Sequence, residues 1–479
     1  MVTMRLERRL SSTWILAVVS LVPVLLVVLL QHNPVQDDPY IFFRYARNLA
    51  HGQGWRFNPG VPDANAITSP LYVLLLATAT RLGISTTGAA TALFVLTSAG
   101  AAFLTGAALR RFGFRIGALA VAALVGSAPA LGAVRGMDAS LYLFLVAASF
   151  LAALERRVLL TGLCFAAVVL TRPEGLVFTV AIAAAVLVAD RSRRPTRKQS
   201  GLLALAFVTP LVCWFAFASL VVGHVIPSTF AAKIAQRQSG LFGHGWVFLR
   251  GARELWKNGR GSPDALRTFF YVLLGLAIVG LVSRLRDRNG WQLFVPLIAA
   301  GTALALFYGV MYNLPPYLWY YAPFVWIELV FAAVGVDALL HAIRSRSTRI
   351  GVAAFTVMAL TTIGVIQTPR SNPVRDDYFP LAAWLRAHTP KSSTVMFTEI
   401  GTIGWASDRR IVDWLGLLDR AALPYLRKGQ LGWWADYYRP DYWIHFAFGP
   451  TAANRVRAGH HWYVRVHKSG FLLVYRRIA

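Results

Sequence analysis

Cysteine is nearly absent. The two that occur, Cys164 and Cys213, both fall inside apolar runs, so neither a disulfide framework nor a cysteine metal site is supported. Charge is scarce too: 14% of the 479 residues are charged against 56% hydrophobic, and the charge leans one way, with 48 Lys and Arg to 21 Asp and Glu. The basic residues sit in short clusters between apolar runs, not along one face or an aromatic-studded sheet, which argues against nucleic acid as a partner. No internal repeat occurs, which disfavours inverted-repeat transporters. The tail carries no GxGxxG or Walker pattern, Gly401 and Gly404 being too few for a dinucleotide fingerprint, and no His-rich spacing argues for zinc.

What remains is apolar sequence of membrane-spanning length. Runs near 13–31, 88–109, 116–134, 138–154, 158–172, 175–190, 201–222, 268–283, 291–312, 319–340 and 350–367 predict about eleven transmembrane helices. The first run follows a basic start but lacks a small-x-small cleavage site, so it reads as an uncleaved span. Basic clusters at 5–9, 110–115, 155–157, 191–198, 284–288 and 344–349 all fall on one side of this arrangement, the cytoplasmic side by the positive-inside rule. A count that includes 69–85 breaks the alternation, so that stretch is expected as an interfacial or re-entrant helix.

The fold expected is therefore an α-helical polytopic membrane protein with its N-terminus cytoplasmic. The membrane module covers 1–367 with outer loops at 32–87 and 223–267. From 368 to 479 the chain alternates β-rich runs such as STVMFTEIG and FLLVYRRI with Pro- and Gly-marked turns, the pattern of a small extracytoplasmic α/β domain. Arg far outnumbers Lys and Ala is abundant, which points to a G+C-rich bacterium and its plasma membrane.

On that topology the ionisable residues gather at one surface. Asp37 and Asp38 open the first loop; Arg135 and Asp138 lie in RGMDAS, Arg172 and Glu174 in TRPEG, and His224 and Lys233 in HVIPSTFAAK. A charge near hydrocarbon must keep water, a partner or a metal. Acids supply a general base or hard oxygen ligands, and Arg or Lys supplies countercharge for phosphate, so such a cleft suits a lipid phosphate. Neighbours on a helix diverge by about 100°, so Asp37 is taken as the base while Asp38 binds water, metal or Arg44, with the two roles exchangeable. Tyr320 and Tyr321 lie in an aromatic stretch that reads either as an interfacial belt or as a contact to phosphate or sugar. Glu399, after a strand, is the tail residue expected to reach the site. Glu328 and Asp337 fall within a span, where an acid faces a partner.

The run DDPYIFFRYARNLAHGQGWRFNPG, with TSPLY, RGMDASLYLF, LTRPEG and PSTFAAK, resembles the GT-C membrane glycosyltransferases that use polyprenyl-phosphate sugars. Within them the spacing is similar to the terminal arabinofuranosyltransferases of mycobacterial walls. The resemblance implies an arabinofuranosyl- or mannosyl-type transferase acting on a cell-envelope glycan, lipid or protein. It implies a base at Asp37 or Asp38, a positioning or cation-holding acid at Asp138, and phosphate contacts at Arg172 and Lys233 backed by Arg135 and His224. Mg or Mn on Asp37 and Asp138 is the cofactor considered. A single displacement with one base inverts the anomeric centre. The competing reading is a transporter or flippase of lipid-linked sugars, which places its binding groups near the bilayer midplane.

Overall fold

In lipid every backbone N–H and C=O has to be satisfied within the protein, so long apolar runs become helices. A computed structural model of the chain describes residues 2–31, 33–34, 36–61, 65–189, 195–254, 263–285, 291–370, 372–447 and 453–478. It begins with α1 (Val2–Leu30), α2 (Pro39–Ala50), α3 (Pro70–Arg81), α4 (Thr86–Arg111), α5 (Arg115–Ser127), the single turn α6 (Pro129–Gly132), α7 (Ala139–Leu154), α8 (Val158–Thr171) and α9 (Leu176–Ala189). There follow α10 (Arg197–Phe217), α11 (Ser228–Gln238), α12 (Val247–Glu254), α13 (Pro263–Leu285), α14 (Trp291–Ala305), α15 (Ala322–His341) and α16 (Arg346–Gln367). Parts of three expected features, the loop residues 255–262 and the basic residues 191–194 and 286–288, lie outside the described residues.

Seven helices are long and apolar enough to cross a membrane, and four shorter apolar ones, Arg115–Ser127, Ala139–Leu154, Val158–Thr171 and Pro173–Ala185, join them among the described residues. The chain is a multi-pass membrane protein. The four shorter helices fall on four of the expected spans; α7, α8 and α9 match theirs to within a residue at each end, and α5 stops at Ser127, short of the expected 134. Pro129 ends α5 and Pro173 ends α8, because proline disfavours the helical state of its predecessor. The turns that follow, 128–138 with its single helical turn α6 and the 3-10 turn 173–175, lie against the rest of the protein, the first of them almost wholly buried. The stretch expected as re-entrant forms α3, only 12 residues long.

Small residues set how closely these helices pack. A Cβ on Gly280 of α13 would run into the Phe331 carbonyl of α15, and one on Gly335 of α15 into the Leu276 carbonyl of α13. The two glycines thus let the backbones touch. Helix α5, almost wholly Ala, Gly, Val and Leu, is buried from Gly117 to Ser127 apart from Leu119. Its first amides, Ile116 and Gly117, both donate to Asp337 Oδ1 on α15 at 2.9 Å. Asp337 therefore has the partner that an acid in a span requires.

After α16 the chain builds α17 (Pro373–Asp376), α18 (Tyr378–His388), β1 (Thr394–Met396), α19 (Ile400–Ser407), β2 (Arg410–Val412), α20 (Ala422–Arg427), α21 (Trp434–Tyr438), β3 (Tyr442–Phe446), β4 (Arg455–Ala458), β5 (His461–Ser469) and β6 (Leu472–Arg477). The six strands form one mixed sheet in the order β2-β1-β3-β6-β5-β4, with β1 parallel to both neighbours and the rest antiparallel.

This α/β tail is bonded to the first loop. Arg44 of α2 donates to the carbonyls of Gly404 (2.5 Å) and Arg409 (2.9 Å), and Arg47 donates to that of Trp405 (3.2 Å). The Asn58 amide pairs with both backbone groups of Ile411, at 2.9 and 3.0 Å. It thereby occupies the open edge of β2, which would otherwise be a site for another strand.

Replacing Gly335 with Ala is expected to lower stability by about 1–3 kcal/mol, the usual cost of forcing atoms into a packed interior. Gly275→Ala on α13, where an added Cβ meets nothing within 4 Å, is expected to leave it unchanged. Thermal unfolding of the purified protein in one detergent checks both.

Candidate functional site

The acidic pair divides its labour by geometry. Asp38 is the residue before α2, with Pro39 at the first helical position, where a missing N–H costs nothing. Asp37, one residue earlier, is 2% exposed and points at the tail. Its Oδ2 accepts from the Gly401 amide at 2.6 Å and its Oδ1 from the Thr402 amide at 2.7 Å. These are orphan donors at the start of α19, which a buried helix end must satisfy. Burial pushes the Asp37 carboxyl up to about 7; Glu399 adds to the rise and the Thr402 amide opposes it.

Asp38 is half-buried, and its carboxylate makes no hydrogen bond or ion pair with another side chain among the described residues. Burial raises its carboxyl, nearby Lys233 opposes this, Glu399 adds to it and Arg375 opposes it. Asp37 thus has both carboxylate oxygens occupied by backbone amides, and Asp38 has open ones.

Lys233 projects from α11 and is 3% exposed. Its ammonium lies 3.6 Å from the centroid of the Tyr317 ring and 5.8 Å from that of Trp319. Burial pulls it down to about 8, against the field of Asp38, Asp413 and Glu399. Among the described residues it forms no ion pair. Asp413 accepts instead from the amides of Leu415 (2.9 Å) and Leu418 (2.7 Å). Two hydrogen bonds fix the cage: Tyr317 donates to Gln236 Oε1 at 3.0 Å, and Gln236 donates to the Leu415 carbonyl at 2.8 Å.

Below this lies a closed ion-pair network. Arg172, 4% exposed, donates to Asp138 Oδ1 at 2.6 Å and to the Trp319 carbonyl at 3.2 Å, with Glu174 at 3.7 Å. Tyr308, in the π turn Leu306–Met311 at the end of α14, donates to Glu174 at 2.6 Å. Arg172 therefore holds the aromatic turn 317–320 from beneath, its charge matched by two acids. Tyr320 spans the two layers, within electrostatic reach of Glu174, Arg172, Asp38 and Asp138.

The tail adds two charged groups to this cluster. Glu399 immediately precedes α19 and pairs with Arg375 of α17 at 3.3 Å; Arg375 also donates to Gln36 at 3.4 Å. One surface thus gathers Asp38, Lys233, Tyr320, Glu399 and Arg375 over the Arg172–Asp138–Glu174 layer.

Other expected residues lie elsewhere. Arg44, expected beside Asp37 or Asp38, faces Gly404, Arg409 and the Phe57 ring, the last at 4.4 Å, because the tail offers its guanidinium buried carbonyls. Arg135 donates to the Gln31 carbonyl at the end of α1 and to Thr91 at 3.0 Å. Tyr321 stacks on Phe248 at 4.6 Å and donates to its carbonyl at 2.6 Å, pinning α12. The His224 side chain is exposed, while its carbonyl accepts from Asn65 at 3.2 Å. Asp37 and Asp138, expected as ligands of Mg or Mn, are committed to backbone amides and to Arg172. Among the described residues no group of three His, Cys, Asp or Glu is placed to hold a metal.

Sequence reasoning missed Arg375, Tyr308, Tyr317 and Trp319. The last two lie in the aromatic stretch already singled out for Tyr320 and Tyr321, and the position of Tyr317 three residues before Tyr320 was the available signal. Nothing local marks Arg375.

A family model described as a domain of unknown function (DUF8728) matches residues 358–474. No curated protein matches the chain by sequence. Solved structures do match by fold. The oligosaccharyltransferase of Archaeoglobus fulgidus, tethered to an acceptor peptide with the NVT sequon, aligns at a TM-score of 0.57 and 13% identity, over 91% of this chain and 69% of that one. That enzyme also has a structure in complex with Zn and sulfate. ArnT from Cupriavidus metallidurans, bound to undecaprenyl phosphate, aligns at 0.55 and 12% identity over 100% of this chain and 99% of that one. The mycobacterial arabinofuranosyltransferase AftD reaches 0.49 at 14% identity, over 96% of this chain and 41% of that one. The architecture that this chain shares with the archaeal enzyme and ArnT is the GT-C fold of membrane glycosyltransferases.

Proposed function

We propose that the chain transfers a sugar from a polyprenyl-phosphate donor to a hydroxyl of a cell-envelope glycan, lipid or protein, on the outer face of a bacterial plasma membrane. The observation that carries this reading is Lys233. A buried ammonium held over an aromatic face, facing a half-open carboxylate and paired with none, is built for an anion that arrives with the substrate. The undecaprenyl phosphate in the ArnT structure supports the donor class. The arabinofuranosyl and mannosyl groups implied by the motifs are the first sugars to offer.

In the reaction Asp38 takes the proton of the acceptor hydroxyl as that oxygen bonds to the anomeric carbon. The bond from that carbon to the phosphate oxygen breaks, and the departing phosphate gains a negative charge that Lys233 stabilises. One base and one displacement invert the configuration. Arg172 acts as a positioning residue through the Trp319 carbonyl, while Tyr320 and Glu399 border the place of the sugar. Asp37 keeps the tail seated. The binding groups lie together at one end of the bundle, an arrangement that suits surface transfer better than carriage through the midplane.

Asp38→Asn is expected to reduce kcat by about 100-fold or more, the usual contribution of a positioned base, with the unfolding temperature unchanged. Asp37→Asn is expected to lower the unfolding temperature, since one amide cannot accept both helix-end N–H groups. Radiolabelled sugar transfer to a crude envelope acceptor, measured beside thermal unfolding, separates the two roles; equal loss of stability in both variants would overturn the assignment.

The pH profile has a defined sign. Lys233 is cationic below about 8 and neutral above, so donor KM is expected to rise as pH climbs through that value. Asp38 must be ionised to act, and its raised carboxyl puts the acid limb of kcat/KM above the usual carboxylate range. Lys233→Arg is expected to remove the alkaline limb, because guanidinium stays charged; an unchanged alkaline limb in that variant would assign it to another group.

A further inference from the structure

A cavity of about 480 Å³ opens where the end of α2 meets α3, away from the carboxylates. Its apolar floor is Leu49, Leu74, Ala77 and Leu82, and its polar groups include His51 and Arg81; no acid lines it. Arg81 is exposed and makes no ion pair or hydrogen bond among the described residues. His51 uses Nδ1 on the Arg47 carbonyl at 2.7 Å and leaves Nε2 open.

The ordinary use for a cation here is to balance the carbonyls at a helix end. Those carbonyls are largely satisfied already. The amides of His51, Gly52 and Gln53 close the last turn of α2, and those of Leu82, Gly83 and Ile84 close that of α3. The charge of Arg81 is thus left for something outside the protein.

The surroundings identify its class. Leu74 and Leu75 are each 40% exposed, Leu82 77% and Ile84 52%. In a multi-pass membrane protein such a patch suits acyl chains, and Arg81 stands at its polar border, as a cation beside apolar surface does where it can meet a lipid headgroup. We propose that this cavity binds the headgroup phosphate of an anionic phospholipid, with Arg81 on the phosphate and the acyl chains over Leu74, Leu75 and Leu82. The bound lipid ties α2 and α3 to the membrane and so steadies the helix that follows Asp38. The site shares no residue with the proposed transfer machinery.

The test uses the full chain in a neutral detergent, titrated with short-chain phosphatidylglycerol, short-chain phosphatidylcholine or inorganic phosphate, and read as the shift in thermal unfolding. Phosphatidylglycerol is expected to act at concentrations lower by about tenfold than phosphatidylcholine, the scale of a charge-assisted hydrogen bond. Inorganic phosphate is expected to give little shift. Arg81→Glu, an exposed change that leaves the unliganded unfolding temperature alone, is expected to abolish the preference, and Thr78→Trp is expected to block both lipids by filling the cavity. Equal responses to the two lipids, or a preference that survives Arg81→Glu, would overturn the proposal. A response to inorganic phosphate matching that to phosphatidylglycerol would overturn the lipid assignment in favour of a free anion.

Discussion

The start of one short helix, α19, has to be satisfied inside the protein, and much of the site's geometry depends on how this is done. Its first amides meet the carboxylate of Asp37, 364 residues away in sequence for Gly401. The approach is so close that a Cβ on Gly401 would strike the Asp37 carbonyl, and one on Gly404 would come within 2.6 Å of Phe57 and 2.7 Å of the Arg44 guanidinium. Two glycines a helical turn apart let a helix lie on α2 where larger residues would hold it off. With α19 seated, Glu399 arrives beside Asp38, and Arg375 arrives with its partner. The tail is thus one wall of the cleft.

Charge in the cleft follows a rule of commitment. Arg172 is matched by Asp138 and Glu174, and Arg375 by Glu399. The buried Arg172–Asp138 pair adds little net stability for its desolvation, but breaking it is costly, so it serves as a rigid support. Among the cations of the site Lys233 is the exception, held over a π face, which tempers a buried charge without neutralising it. The difference separates groups that shape the cavity from one that can still bind an anion.

How much of this was legible in the sequence follows from range. The membrane helices were readable because apolar length is a local property, and the tail because its alternation of short strands and turns is local too. Asp37 and Asp38 announced themselves by being two acids beside a span. That Asp37 would be occupied was not readable, since its partners are backbone amides, which carry no residue signature. Arg44 shows the same limit from the other side: its spacing to the acids is helical, yet its partners are carbonyls at 404 and 409. Gly401 and Gly404, set aside as too few for a nucleotide loop, answer to a packing demand. Tyr321 and Tyr320 are neighbours, and which of the two would turn toward the cleft depended on α12, whose Phe248 takes Tyr321.

Asn58 on the edge of β2 carries a consequence for the making of the protein. The amide group and the strand it covers are separated by 353 residues, and the first-loop segment that bears it also bears Asp37 and Arg44. During synthesis this segment emerges early and waits for almost the entire chain before its partners exist. Long-range closure of this kind is slow, and in the interval the buried faces of α2 remain uncovered. A chain that ends before residue 411 has the first-loop segment without the strand that Asn58 caps.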